Sequence, residues 1–274
     1  MTDSSNFLSK FNLHSSGTIT LLEKLQFSSH SEKKLQVLFT PNPEQIVLAS
    51  KDKSFAEALC QADIVIPDGI GLVFASRLFS LAGRGAKIVE RIPGVDIVQK
   101  LLHQAKEKKL KVLVIGGMAY SGLSYKSWQI RELDHLAAQK NQATIQNNVA
   151  AGLWWTPAFE DARYPTSKEQ SLLEKHITAL SPDIIFVAFG APTQEKWVIE
   201  NRKLLEKQGV QLAMVVGGAF DMLLGKVDRA PKLIRTLGLE WLFRLVQEPW
   251  RWRRQLRLVE FVKLVIGDLL QLRT

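Results

Sequence analysis

Residues 183–218, DIIFVAFGAPTQEKWVIENRKLLEKQGVQLAMVVGG, contain one complete strand–helix–strand unit. The apolar runs at 183–189 and 211–216 are short and rich in β-branched side chains, which is typical of buried strands. The stretch between them, 194–207, mixes apolar and charged side chains with the spacing of a helix. A helix that connects two such strands indicates a parallel sheet, so the segment predicts an α/β fold.

The same alternation extends through most of the chain. Further strands are expected at 36–39, 64–67, 111–115 and 144–148, and further helices at 55–60, 69–79, 95–108, 122–139 and 168–180. After residue 218 the alternation stops, and a helical, basic and aromatic segment follows. We therefore expect a Rossmann-like parallel sheet flanked by helices at 35–225, an N-terminal extension at 1–34, and a helical, membrane-associating C-terminal appendage at 226–274.

Composition and charge limit the possible functions. The chain has 274 residues, 46% of them hydrophobic, and 36 Lys and Arg against 27 Asp and Glu give a net charge of +9. This mix excludes a disordered or fibrous chain. Residues 226–274 hold eleven of the basic residues and five of the acidic ones, so this segment alone carries +6, together with Trp241, Trp250 and Trp252. The segment predicts an anionic partner: phospholipid, pyrophosphate or nucleic acid.

Several classes of protein are not expected. Cys60 is the one cysteine, so an internal disulfide is excluded, and no Cys/His spacing matches a zinc site. The N-terminus lacks the pattern of a signal peptide, and no apolar stretch reaches the 18 residues of a spanning helix. A cytoplasmic protein with peripheral membrane contact is the expectation.

Polar and glycine-rich loops follow five of the expected strands. They hold Thr40 and Asn42, Asp68, Gly116 and Gly117, Gly190–Glu195, and Gly217–Asp221. Because ligands of open α/β sheets bind beyond the carboxyl ends of the strands, we expect these loops to converge on one crevice.

Two of these loops suit a phosphate or another ligand. Gly116 and Gly117 would let the backbone approach a phosphate, aided by a helix starting at Gly122, although a glycine pair is also common in tight turns. Gln194 and Glu195 are expected at the start of a helix, where their side chains can contact a ligand. Alternatively, Glu195 stabilises the helix, because its negative charge interacts favourably with the positive end of the helix dipole.

Asp68 is the acidic residue with the clearest candidate role. It follows Pro67 and precedes Gly69, so its carboxylate is either a general base that faces the crevice or the N-cap of the next helix. The same two alternatives, general base or N-cap, apply to Asp221 and Asp228. The three carboxylates could also hold a metal ion together. Arg91 could hold a leaving phosphate or lie on the surface. No Ser/His/Asp or Cys/His arrangement supports a nucleophilic triad.

The appendage contains an amphipathic helix. Aliphatic side chains between Leu258 and Leu272 occupy one broad half of a helical wheel, while Arg253, Arg257 and Glu260 lie on the other. This pattern is typical of a helix at a membrane interface, and equally of a helix packed on a core or in an oligomer.

Seven motifs together are similar to those of a known family. They are Thr40-x-Asn42, Pro67-Asp68-Gly69-x-Gly71, Glu90-Arg91-x-x-Gly94, Gly190-x-Pro192-x-Gln194-Glu195, Gly217-Gly218-x-Phe220-Asp221, Arg229-Ala230-Pro231 and Gly238-Leu239-Glu240-Trp241-x-x-Arg244. In this order, over roughly residues 35–255, the chain resembles the WecG/TagA/CpsF glycosyltransferases.

The resemblance implies an inverting transferase at the inner face of the cytoplasmic membrane. The donor would be a UDP-sugar and the acceptor a polyprenyl-diphosphate-linked sugar. The best-known members move N-acetylmannosamine, or its uronic acid, to undecaprenyl-diphosphate-linked N-acetylglucosamine for cell-surface polymers such as teichoic acid. No cofactor, metal or nucleic acid is implied.

The resemblance also implies roles for individual residues. Asp68 resembles the general base, Thr40 and Asn42 resemble pocket residues beside it, and Arg91 resembles a contact to the donor diphosphate or sugar. Gln194 resembles a further active-site contact, and we expect Gly116, Gly117, Glu195 and Asp221 to contact substrate as well. The basic side chains that would meet the lipid diphosphate and the bilayer are Arg229, Arg244, Arg251 and Arg254.

The chain departs from the family pattern in two places. Residues 80–89 form a longer connection before Arg91, and residues 1–34 precede the first strand. The alternative is a non-enzymatic nucleotide- or nucleic-acid-binding protein, because clustered Arg and Trp side chains also suit single-stranded nucleic acid. The aliphatic face of the appendage argues against it, and the missing G-x-G-x-x-G argues against a dinucleotide oxidoreductase.

Overall fold

The computed structural model describes residues 6–25, 27, 34–117, 119–126, 128–133, 151–157 and 165–270. The strands are β1 Gln36–Phe39, β2 Ile64–Val65, β3 Lys111–Gly116, β4 Ser124–Tyr125, β5 Trp128–Glu132, β6 Gly152–Thr156, β7 Ile184–Ala188 and β8 Leu212–Val215. The helices are α1 Thr18–Lys24, α2 Pro43–Lys51, α3 Lys53–Cys60, α4 Ile70–Leu81, α5 Gly94–Glu107, α6 Ser167–Leu180, α7 Thr193–Glu200, α8 Arg202–Lys207, α9 Ala219–Leu223, α10 Lys232–Thr236, α11 Glu240–Gln247 and α12 Trp252–Leu269.

The chain forms two compact units, and each is assembled from separate segments. The first unit consists of Met1–Gln26, Thr40–Pro93 and Asp228–Thr274. The second unit consists of Phe27–Phe39 and Gly94–Val227.

A mostly parallel sheet forms the centre of the second unit. Its strands lie in the order β1-β8-β7-β3-β6-β5-β4, and β4–β5 is the antiparallel pair. Every residue of β7 is buried, as expected for a parallel strand covered on both faces. The predicted fold class, an α/β sheet flanked by helices, is confirmed.

One predicted helix of the second unit is wrong. Residues 122–139 do not begin a helix, because Gly122 lies in a turn and the hairpin strands β4 and β5 follow it. The aromatic and β-branched side chains of this stretch favour an extended backbone, and they override the weak helical spacing. The expected strand at 144–148 and the residues from 134 to 139 lie outside the described part of the chain.

The strand order places a switch point beside β3. From β3 the chain continues to strands on one side, ending at β6, and then crosses to β7 on the other side. Ligands of doubly wound sheets bind beyond the carboxyl ends of strands at such a point. The loops after β3 and β7 are therefore the most informative loops of this unit.

Helices form most of the first unit. The C-terminal helix α12 lies against α2, and its Phe261 and Val265 are buried. Phe7, from the N-terminal extension, makes edge-to-face contacts with Phe79 of α4 and with Phe261. Phe7 of the extension therefore belongs to the core of this unit.

A buried ion pair fastens the end of α12. Asp268 pairs with Arg84 at 2.8 Å and also accepts a hydrogen bond from the backbone N–H of Phe7 at 2.7 Å. The side chain of Asn6 donates to the backbone carbonyl of Arg84. The connection at 80–89 and the start of the N-terminal extension thus meet at the end of the last helix.

Candidate active site

Asp68 lies in the first unit, in the loop between β2 and α4. Its backbone N–H donates to the carbonyl of Pro41 at 3.0 Å, and the N–H of Ile92 donates to the carbonyl of Pro67 at 3.1 Å. The N-cap of α4 is Gly69, and no side chain caps that helix. The N-cap alternative for Asp68 is therefore wrong. Its carboxylate side chain remains 30% exposed.

Thr40 and Asn42 lie close to Asp68 along the backbone of the same unit. The Asn42 side chain caps α2 by accepting from the N–H of Gln45 at 3.0 Å, while Gln45 Oε1 accepts from the N–H of Asn42 at 2.9 Å. This reciprocal capping box holds Asn42 in place. Thr40, two positions before Asn42 in the sequence, is half-buried.

Arg91 connects Asp68 to a second carboxylate. Its Nη2 atom lies 2.6 Å from Oε2 of Glu240 and 3.5 Å from Oδ1 of Asp68. Arg229 approaches the same Glu240, with its Nε 3.5 Å from Oε1. Burial alone would lower the pKa of Arg91, but the charges of Asp68 and Glu240 outweigh it and raise the pKa. We call Asp68, Arg91, Glu240 and Arg229 the base cluster.

Gly238 brings Glu240 into this position. It has a φ of +74°, which favours glycine, and it separates α10 from α11. A methyl group at Gly238 would lie 3.0 Å from the side chain of Ile70, the first residue of α4. This close approach sets the first residue of α11, Glu240, beside the loop that holds Asp68.

The other predicted acceptor arginines also form ion pairs within the first unit. Glu248 pairs with Arg251 at 2.6 Å and with Arg244 at 3.4 Å, and Arg254 pairs with Glu44 at 3.1 Å. Burial, and then the charge of Arg251, lower the pKa of Arg244.

Gln194 and Glu195 lie in the second unit, at the start of α7. Gln194 Oε1 accepts hydrogen bonds from the N–H groups of Gly190 at 3.1 Å and Gly217 at 3.2 Å. Gln194 Nε2 donates to Glu195 Oε1 at 3.0 Å, and both side chains are buried. The pair therefore joins the loop after β7 to the loop after β8.

The glycine pair after β3 makes close contacts with aromatic side chains. A side chain at Gly116 would lie 2.7 Å from Phe189, and one at Gly117 would overlap Tyr120. The buried Tyr120 donates to Asp221 Oδ1 at 2.6 Å. This hydrogen bond ties Asp221 to Tyr120 in the segment that follows β3.

Comparison with known families identifies the chain. The model of the "Glycosyl transferase WecG/TagA/CpsF family" matches residues 10–274. The chain belongs to this family. It is therefore a glycosyltransferase rather than a non-enzymatic nucleotide- or nucleic-acid-binding protein.

Two relatives of this glycosyltransferase carry the same curated name, "N-acetylglucosaminyldiphosphoundecaprenol N-acetyl-beta-D-mannosaminyltransferase". The protein of Bacillus subtilis (strain 168) is 31% identical over 232 residues, which is 85% of this chain and 79% of the relative. The protein of Bacillus spizizenii (strain ATCC 23059 / NRRL B-14472 / W23) is 31% identical over 252 residues, 89% of this chain and 86% of the relative.

Neither a metal cluster nor a spanning helix is found in the described part of this glycosyltransferase. Its described residues include no group of three or more His, Cys, Asp or Glu side chains that could hold a metal ion. Among the same residues, no helix has the length and apolar character needed to cross a bilayer.

Glu240 is the member of the base cluster whose role the sequence did not predict. It occurs within one of the family motifs, but its partner Arg91 lies 149 positions earlier. No local spacing could have connected the two residues. The one available signal was an acidic residue in a strongly basic segment.

The free energy of unfolding of the glycosyltransferase should depend on pH because of the buried Glu195. Burial raises the pKa of Glu195 from 4.5 to about 7, although the hydrogen bond from Gln194 opposes the shift. The folded state then holds a proton that the unfolded chain releases between these values. The free energy of unfolding should therefore fall as pH rises, by up to about 1.4 kcal/mol per pH unit, and level off above pH 7.

Urea unfolding at pH 5 to 8 checks this expectation. Glu195→Gln should remove most of the decline, because Gln carries no titrating proton. Glu200→Gln, an exposed change at the end of the same helix, should keep the wild-type slope. Equal slopes in wild type and Glu195→Gln would contradict the assignment.

Proposed function

We propose that this glycosyltransferase moves N-acetylmannosamine, or its uronic acid, from a UDP-sugar to undecaprenyl-diphosphate-linked N-acetylglucosamine. The names of the two Bacillus relatives support this acceptor and sugar. The observation that carries the proposal is the partly exposed carboxylate of Asp68 beside Arg91, whose other partner, Glu240, also faces Arg229. A base next to one cation, with a second cation in the same cluster, suits an acceptor hydroxyl and a departing diphosphate.

The proposed reaction is a single displacement. Asp68 takes the proton of the acceptor hydroxyl while that oxygen forms a bond to the anomeric carbon of the donor. The bond from this carbon to the diphosphate breaks, and UDP leaves with the electron pair. Attack from the face opposite UDP inverts the anomeric centre. Arg91 and Arg229 offset the negative charge that develops on the diphosphate.

The remaining predicted contacts complete this proposal. Thr40 and Asn42 would line the acceptor side of Asp68, and Arg244, Arg251 and Arg254 would meet the lipid diphosphate. Gly116, Gly117, Gln194, Glu195 and Asp221 would shape the loops that follow β3, β7 and β8. No metal ion or other cofactor enters the proposed reaction.

We propose that the appendage contacts the inner face of the cytoplasmic membrane. The side of α12 away from Phe261 and Val265 exposes Trp252, Leu256, Val259, Val262, Ile266 and Leu270. These apolar side chains recur with helical spacing, the exposed Arg253 lies beside them, and the exposed Lys263 lies among them. We call the six apolar residues the α12 stripe. An apolar stripe with basic side chains beside and within it suits an anionic bilayer surface.

A substrate panel tests the proposed function. Purified protein is incubated with several UDP-sugars and a short-chain lipid-diphosphate-N-acetylglucosamine. We expect the acceptor mass to rise by one N-acetylhexosamine with UDP-N-acetylmannosamine, or by the corresponding uronic acid, and the new linkage to be inverted relative to the donor. Transfer from a different UDP-sugar alone, or a retained configuration, would contradict the proposal.

A further inference from the structure

We infer that Glu240 is a positioning residue, which holds Arg91 away from close pairing with Asp68 so that Asp68 stays available to accept a proton. This inference rests on the proposed role of Asp68 as the base. It assigns the appendage a part in the proton transfer itself, in addition to any contact with the acceptor lipid.

The distances within the base cluster carry the inference. A single atom, Nη2 of Arg91, faces both carboxylates, and it lies 0.9 Å closer to Glu240 than to Asp68, at 2.6 Å against 3.5 Å. The Glu240 side chain is 10% exposed, against 30% for Asp68, so water screens its ion pair less. Arg91 is therefore committed mainly to Glu240.

Arg229 strengthens this arrangement from the other side. Its Nε lies 3.5 Å from Oε1 of Glu240, while Arg91 contacts Oε2, so each carboxylate oxygen faces one guanidinium. The carboxylate thereby sets the spacing of two cations. A neutral side chain at position 240 would lose both attractions.

Removing the charge of Glu240 should weaken Asp68 as a base for two reasons that act in the same direction. Arg91 would be left with Asp68 as its carboxylate partner and would pair with it more closely. Asp68 would also lose a neighbouring negative charge that favours its protonation. Both changes stabilise the ionised form of Asp68 and reduce its tendency to take a proton.

The kinetic test compares Glu240→Gln, Glu240→Asp and the control Glu260→Gln across pH 5 to 9. Glu260 lies in the same appendage and pairs with Lys51, outside the base cluster. For Glu240→Gln we expect kcat to fall about tenfold or more, and the acid limb of the pH–rate profile to move about one unit lower. Glu240→Asp should restore the limb in part, and Glu260→Gln should match wild type. An unmoved limb in Glu240→Gln would overturn the inference.

A double-mutant cycle in urea unfolding tests the same inference without activity. Asp68→Asn should lower the unfolding midpoint more in the Glu240→Gln background than in wild type. In that background Asp68 is the remaining carboxylate of the base cluster that pairs with Arg91. Additive midpoints would overturn the inference whatever the kinetics show. If coupling is found but Asp68→Asn keeps full transferase activity, the proposed base is wrong while the sharing of Arg91 stands.

Discussion

Asp68→Asn should lower kcat by about 10²–10⁴-fold, the contribution typical of a general base. Asparagine has nearly the same shape but cannot take the acceptor proton. Arg91 keeps its closer partner, Glu240, at 2.6 Å, so the cluster should stay in place. UDP binding, measured by calorimetry, should therefore remain close to wild type while turnover of donor and acceptor is lost.

Asp63→Asn is the matched control for this experiment. Asp63 lies five positions earlier on an exposed part of the same segment and outside the base cluster. Its substitution should leave kcat unchanged. The role of Asp68 would be refuted by a variant that turns over at the wild-type rate, and loss of UDP binding would instead indicate a contact to the donor.

Membrane binding should weaken strongly when two valines of the α12 stripe are replaced by Asp. Val259 and Val262 are 56% and 52% exposed, so Asp at both positions should not disturb the core. Each valine that enters the acyl boundary contributes roughly 1–2 kcal/mol, and each new carboxylate is repelled by anionic lipid. We expect affinity for anionic vesicles to fall by at least about 10²-fold in a cosedimentation assay.

A third valine provides the control for vesicle binding. Val89 is 58% exposed but lies in the connection before Arg91, outside the appendage. Val89→Asp should cosediment like wild type. Retained binding by the Val259→Asp and Val262→Asp double variant would show that α12 does not enter the interface, and the α12 stripe would then need another explanation.

The periodicity of the sequence predicted most of the described sheet, because strands buried on both faces form short apolar runs. β1 was expected at 36–39 and is found there, and β7 and β8 match to within one residue at each end. Helix α2 was missed although it has a clear start signal, Asn42 followed by Pro43 and then Gln45. The Trp-rich strand β6 was missed, because its residues from Leu153 to Thr156 are all buried and give no alternation of polar and apolar side chains.

Only those residues of the candidate site that lie in short sequence motifs could be predicted. Asp68 could be named because it follows a strand, and Arg91 because it lies just before a helix. The link between them through Glu240 depends on Gly238 lying close to Ile70, which no short-range pattern encodes. The same holds for Asp268 and Arg84, which are 184 positions apart and form a pair only in the folded unit.

The segmented first unit has a consequence for biosynthesis. Its earlier segments leave the ribosome long before Asp228–Thr274, and at roughly 5–20 residues per second several seconds of translation separate them. Until then Arg84 lacks Asp268, and Arg91 lacks Glu240. A nascent or prematurely terminated chain therefore has Asp68 but not the completed base cluster, so under the proposed roles we expect catalytic competence only once Asp228–Thr274 has been synthesised and has folded onto the earlier segments.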